Sequence, residues 1–229
     1  MLHILGINAY HGDASAAIIK DGEIIAAVEE ERFNRVKHCA GFPGESIRYC
    51  LSAAGVSIED IEHVGISRDP SAHLHKKVLF AATRAMKSIG GIDRTRSAGE
   101  TRDRGFVAAV TERLANAAKL RDLKDDLAGV LGISKSRVGA RIHNVEHHRA
   151  HLASAFFVSP FDNAALLSID GFGDFISTMW AAGEGNEIDV LGQVEYPHST
   201  GIVYTATTQF LGFPHYGDEG KVMGLAPYG

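Results

Sequence analysis

The sequence predicts an α/β fold built from two lobes of one plan, three strands followed by a helix. Two runs of the chain carry that plan, and a helical stretch separates them. Composition permits it: of 229 residues, 45% are hydrophobic and 22% charged, as in ordinary globular chains with a core.

In the first run, residues 3–8 (HILGIN) read as a buried strand, AYHGD as a turn and ASAAIIK (14–20) as a second strand. Asp21-Gly22 is a hairpin signal, because both residues tolerate positive φ, and EIIAAVEEE (23–31) is the third strand. A helix follows over about 44–54. In the second run, AALLSI (164–169) is a strand, DGFGD (170–174) a turn and FISTMWAA (175–182) a strand. Gly185-Asn186 is a tight turn, EIDVLGQV (187–194) the third strand, and a helix follows over roughly 200–211. Residue identity between the copies is low, so the repeat is one of pattern. Duplicated lobes of this kind resemble the actin, Hsp70 and sugar-kinase superfamily, with its ribonuclease-H-like lobes. There the first hairpin turn of each lobe holds phosphate or metal at a cleft. Two unrelated meanders are the alternative that the pattern leaves open.

Between the runs, SAHLHKKVLFAATRAMKSI (71–89) is amphipathic, GIDRTRSAGETRDRG (91–105) reads as an exposed loop, and residues 106–132 read as helical again. The expected layout is a first lobe over 1–70, a helical insert and linker over 71–139, and the start of a second, incomplete lobe over 140–229. Residues 68–104 carry nine Lys/Arg against four Asp/Glu, which suits a phosphorylated ligand, a partner domain or a solvated surface.

The net charge of -5 argues against a polyanion binder. Two cysteines, Cys39 and Cys50, suggest a reducing compartment and no disulfide framework. The first residues lack a basic, apolar leader pattern, and no apolar run approaches the length of a membrane span. A cytoplasmic location and no membrane partner are the expectation.

The strongest chemical signal is a spacing. His147 and His151, in VEHHRAHLASAF, lie four residues apart, so a helix points both from one face. Asp170 follows at the end of an apolar run. Two imidazoles and a carboxylate with open positions form the ligand set of a catalytic iron or zinc. His143 and His148 crowd the same segment, and helix capping or packing on the sheet is the plainer use for any of these rings. A second constellation is His11-Gly12-Asp13 in the first turn. His11 suits a general base toward a hydroxyl. Asp13 and Ser15 suit a phosphate-associated metal, hydrogen bonding, or capping of the turn. A third is Asp170-Gly171-Phe172-Gly173-Asp174, whose glycines let backbone N–H groups approach an anion. The tail FPHYGDEGKVMGLAPYG has glycines and Lys221 in a form that suits either a phosphate cradle or a plain connecting loop.

A competing reading takes LAGVLGISKSRVGARI (127–142) as a helix-turn-helix, with Lys135, Arg137 and Arg141 facing DNA. Against it, the following ARIHNVEHH reads as a strand and the chain is acidic overall.

Taken together, INAYHGDASAAII, EEERFNRVKH, EHHRAHLASAF, SIDGFGD and DEGKVMGLAPYG resemble the O-carbamoyltransferases of antibiotic and nodulation-factor biosynthesis. The motifs follow the family's order from residue 4 to the last residue. The resemblance implies an actin-like domain similar to the universal tRNA threonylcarbamoyl transferases, with iron, or else zinc or magnesium, at His147, His151 and Asp170. It implies His11 in carbamoyl transfer, with Asp13 in the same turn. It places Lys37, Thr205 and Gly217 near nucleotide-contacting positions, alongside Asp170, Gly171, Gly173 and Lys221. The reaction it implies has two stages. A carboxy-terminal domain makes carbamoyl-adenylate from carbamoyl phosphate and ATP, and this domain passes the carbamoyl group to a hydroxyl of a small-molecule acceptor. That acceptor is a sugar, an aminoglycoside or another alcohol. No nucleic-acid partner is implied, and the insert suits docking of the further domain or of a second copy as a homodimer. Family members are longer, supply a further metal-binding Asp beyond Gly229, and so imply that this stretch does not run the complete reaction. The alternative of a tRNA-modifying threonylcarbamoyl transferase would place a Ser-Gly-Gly-type loop where Asp170-Gly171-Phe172-Gly173 stands.

Overall fold

The computed structural model describes residues 1–69, 72 and 123–229. In chain order its elements are β1 (His3–Asn8), β2 (Ser15–Lys20), β3 (Glu23–Glu29), α1 (Glu31–Asn34), α2 (Gly44–Ala54), β4 (His63–Ile66), α3 (Leu123–Leu131), β5 (Arg141–Asn144), α4 (His147–Phe156), β6 (Asn163–Gly173), β7 (Ile176–Glu184), β8 (Glu187–Glu195), α5 (Thr200–Phe210) and α6 (Glu219–Leu225). Met1–Ala72 and Ala140–Gly229 form one unit and His73–Gly139 another.

In the first unit, β1 alternates inward and outward residues, and Leu5 and Ile7 are buried. The β2–β3 hairpin turns on Asp21 and Gly22, both at positive φ as a two-residue primed turn requires. β4 lies parallel to β1 and β5 parallel to β4, so the sheet order is β3-β2-β1-β4-β5. α2 packs Ile47, Cys50 and Leu51 onto β2 and β3. Its first amides are met by the buried Glu30 carboxylate, which accepts from Glu45 N and Ser46 N, while Gly55 closes the helix in the left-handed region.

β6, β7 and β8 form a second, antiparallel sheet. Leu152 and Phe156 of α4 pack on Leu166, Ile176, Met179 and Ala181. Gly183 admits the Phe156 ring, since a β-carbon there would lie 2.7 Å from it. α5 packs against β6. Of the second unit, the described part holds α3, with Leu123, Leu127 and Ala128 buried, and a 3-10 turn at Lys135–Arg137.

Several expectations change. β5, assigned to the second lobe as part of 140–229, pairs with β4 on the edge of the first sheet. Residues 170–174 are not a simple turn: β6 runs on through Gly173 with a register shift, and the reversal falls on Asp174-Phe175, both at positive φ. The third strand stops at Glu29, and Glu31 begins α1. The second helix of a helix-turn-helix is absent among the described residues, where the short turn Lys135–Arg137 leads into β5. The tail is helical over Glu219–Leu225 rather than a loop. The amphipathic stretch 71–89, apart from Ala72, the loop 91–105 and the helical stretch 106–122 lie outside the described residues. Cys39 and Cys50 are both free.

Candidate metal centre

The site is assembled on the first turn of α4. A helix start leaves amides without intrahelical partners, and three carboxylate contacts meet them here. Glu146, itself buried, accepts from His148 N at 3.0 Å and Arg149 N at 2.8 Å. Asp174 accepts from His147 N at 3.1 Å and also from Asp69 N at 2.9 Å, so the β6–β7 reversal is tied to both the helix and the segment after β4. The helix is thereby fixed in rotation, with His147 and His151 one turn apart on one side.

His147 Nε2 lies 2.7 Å from Asp170 Oδ2 and 3.0 Å from His151 Nε2. The three ligand atoms all lie within 4.8 Å of one another, the one such group of three or more found among the described residues. Two glycines make the convergence possible. A β-carbon at Gly173 would sit 1.9 Å from His147 Cδ2, so the imidazole rests on bare backbone. A β-carbon at Gly201 would sit 2.5 Å from the Asp170 carbonyl oxygen, so the start of α5 closes on the strand. Ser199 caps α5 by accepting from Ile202 N, and its hydroxyl reaches the Asp170 and Gly171 carbonyls.

The hydrogen bond from His147, helped by Gly171 N–H, holds the Asp170 carboxyl down at about 2. Burial, then the neighbouring His147, lowers the His151 pKa. A single Nε2 proton on His147 cannot point at both Asp170 and His151. One central cation would satisfy all three groups at once, and the donor set fits a divalent ion with exchangeable positions.

His11 stands beside this group, its ring 6.2 Å from that of His147. Nδ1 lies 3.2 Å from Gly12 O, and buried Nε2 has no partner among the described residues. Burial first, then His147 and Arg68, lower its pKa, which favours the neutral ring. Asp13 turns away to pair with His38 Nδ1 at 2.9 Å. The edge of the His38 ring meets Tyr216 at 5.1 Å, and the Tyr216 hydroxyl lies over Gly12.

The remaining residues anticipated at the site make contacts of their own. Lys37 is exposed, with no polar partner among the described residues. Thr205 donates to Glu219 at 2.6 Å, and Lys221, in the first turn of α6, pairs with Asp218. Gly217 takes φ +82 against the His38 ring, and Gly171 gives its N–H to Asp170 Oδ1 at 2.6 Å. His148 is buried in the core, its Nε2 donating to Ile176 O and its Nδ1 paired with Ser168. His143 belongs to β5. Sequence reading missed Glu146, Gly201, His38 and Tyr216, and named Asp174 only as part of the turn, not as a partner of the helix start. Glu146 had a signal in its place one residue before the helix. Tyr216 and Gly201 had none, because their partners are distant along the chain.

Comparison with known proteins places the chain in a family. The chain is 39% identical over its whole length to the uncharacterized protein sll1178 of Synechocystis sp., of which it covers 35%. It is 36% identical over 97% of its length to Nodulation protein NolNO of Sinorhizobium fredii, of which it covers 28%. The chain therefore spans about a third of the length of these curated relatives. Among solved structures, YeaZ from Pseudomonas aeruginosa aligns with 86% of this chain and 68% of its own at a TM-score of 0.42 and 13% identity. The family model for the carbamoyltransferase N-terminus matches residues 3–229, and the chain belongs to that family.

Proposed function

We propose that this chain is the carbamoyl-transferring part of an O-carbamoyltransferase. It passes the carbamoyl group of carbamoyl-adenylate to the hydroxyl of a small-molecule acceptor. The observation that carries the reading is the convergence of His147, His151 and Asp170 beside His11, whose Nε2 has no partner among the described residues. The repeated strand–strand–strand–helix plan supports an actin-like pair of lobes, with the first turn of one lobe beside the helix of the other.

In this reading His147, His151 and Asp170 hold a divalent metal, iron ahead of zinc or magnesium. A metal bound there polarises the carbamoyl carbonyl as a Lewis acid. His11, neutral at pH 7, takes the acceptor's hydroxyl proton at Nε2. The hydroxyl oxygen bonds to the carbamoyl carbon, the bond from that carbon to the phosphate oxygen breaks, and AMP leaves. Glu146 and Asp174 keep the helix start in place throughout. Carbamoyl-adenylate comes from ATP and carbamoyl phosphate on a further domain, so the overall reaction is a property of the longer protein.

Elemental analysis of the purified chain tests the centre. About one equivalent of iron or zinc, lost in His147→Ala, is expected; no metal under any loading condition overturns it. Transfer of labelled carbamoyl from carbamoyl-adenylate to sugar or aminoglycoside alcohols, abolished in His11→Gln, tests the chemistry. Equal transfer by that variant overturns the assigned role.

A further inference from the structure

The edge of the first sheet carries a second pair of convergent imidazoles. His63 of β4 and His143 of β5 bring Nδ1 and Nε2 to 2.9 Å, with ring centroids 5.0 Å apart. They meet on a diagonal, because His63 stands opposite Arg141 and His143 opposite Gly65. A β-carbon at Gly65 would meet nothing within 4 Å, so open space adjoins the pair. His63 is half-buried and His143 exposed.

Two ring nitrogens facing one another share either a proton or a cation. Metal–imidazole bonds of about 2.0–2.1 Å meeting at a right angle hold their nitrogens about 2.9 Å apart; a tetrahedral angle would hold them about 3.4 Å apart. Zinc is almost always tetrahedral in structural sites, so the two rings would part by about 0.5 Å to take it, with water completing its shell. Imidazole is also the ligand that late divalent metals favour.

We propose that His63 and His143 form a second divalent-metal site, of the zinc class, that clamps β5 to β4. β5 is the outermost strand, held through four paired positions. Three residues after it ends, α4 begins with His147, so the clamp fixes the strand that delivers the candidate centre. Arg141, exposed and opposite His63, adds a like charge and keeps this site weaker than the three-ligand group. The inference does not depend on metal binding at that group.

The test uses the full chain with zinc as probe, in a His147→Ala/His151→Ala background that removes the competing ligands. Calorimetry and the ring nitrogen NMR signals are read together. We expect one zinc bound with shifts at His63 and His143, and loss of both on adding His63→Asn or His143→Asn. Zinc uptake that neither added substitution changes, or ring signals that do not move, would overturn the proposal. Should the background variant fail to fold, the native chain is compared with His143→Asn. A drop of one equivalent supports the site whether or not the other centre binds, and equal stoichiometry overturns it.

Discussion

The His147 ring lies directly on the backbone of Gly173, where a β-carbon would fall 1.9 Å from Cδ2. No side chain fits there without moving the ring or the strand. His147 is the middle member of the group, within hydrogen-bond distance of both Asp170 and His151. In the Gly173→Ala variant we therefore expect most of the bound metal to be lost. Metal content by mass spectrometry, alongside a circular-dichroism spectrum showing retained secondary structure, checks this.

Asp170 gives the metal-free chain an acid-sensitive component. A carboxyl whose pKa is depressed on folding adds stability that is complete above its unfolded value of about 3.9. That stability is lost as pH falls through the folded value of about 2. Urea midpoints in chelator are expected to decline between about pH 4 and pH 2, and Asp170→Asn to flatten that decline.

Two histidines act at higher pH. His11 and His151 have lowered pKa values, so protonation favours the unfolded chain, and their contribution falls as pH drops below the unfolded value of about 6.5. Asp170 raises the His151 value against the larger effects of burial and His147. NMR titration is expected to place both rings below the ordinary histidine midpoint, and Asp170→Asn to move His151 lower still.

Glu146 caps the helix that bears the ligands. Its carboxylate accepts from two amides at the start of α4. Replacement by Ala removes that cap and is expected to cost about 1–2 kcal/mol, read as a shift in denaturation midpoint. The same variant is expected to bind metal about tenfold more weakly, since outer supports of a metal site carry that much affinity.

Gly217 and Gly220 provide a contrast within one segment. Gly217 combines φ +82 with a would-be β-carbon 2.3 Å from His38 Nε2, whereas at Gly220, exposed in α6, such an atom meets nothing within 4 Å. Gly217→Ala is expected to destabilise by more than about 1 kcal/mol. Gly220→Ala is expected to stabilise by about 0.5–1 kcal/mol. Thermal denaturation of the two variants checks both signs.

Much of this molecule is legible along the chain because the relevant physics is local. Apolar runs bounded by turn residues mark β1 to β3, and Asp21-Gly22 fixes the β2–β3 hairpin. The 44–54 helix announces itself by its apolar spacing and the glycine that ends it. The four-residue separation of His147 and His151 already puts two imidazoles on one helix face.

What the chain order left open is decided by contacts between residues far apart in it. β5 joins the first sheet because its backbone finds the free edge of β4, a pairing between residues about eighty positions apart. Thr205 and Lys221 turn to Glu219 and Asp218 because those carboxylates are at hand once α5 and α6 form. Local sequence thus determined the strands, the helices and the types of the candidate ligands. Tertiary structure decided which groups meet, because bare glycine backbone at Gly173 and Gly201 brings a helix, a strand end and a second helix closer than side chains would allow.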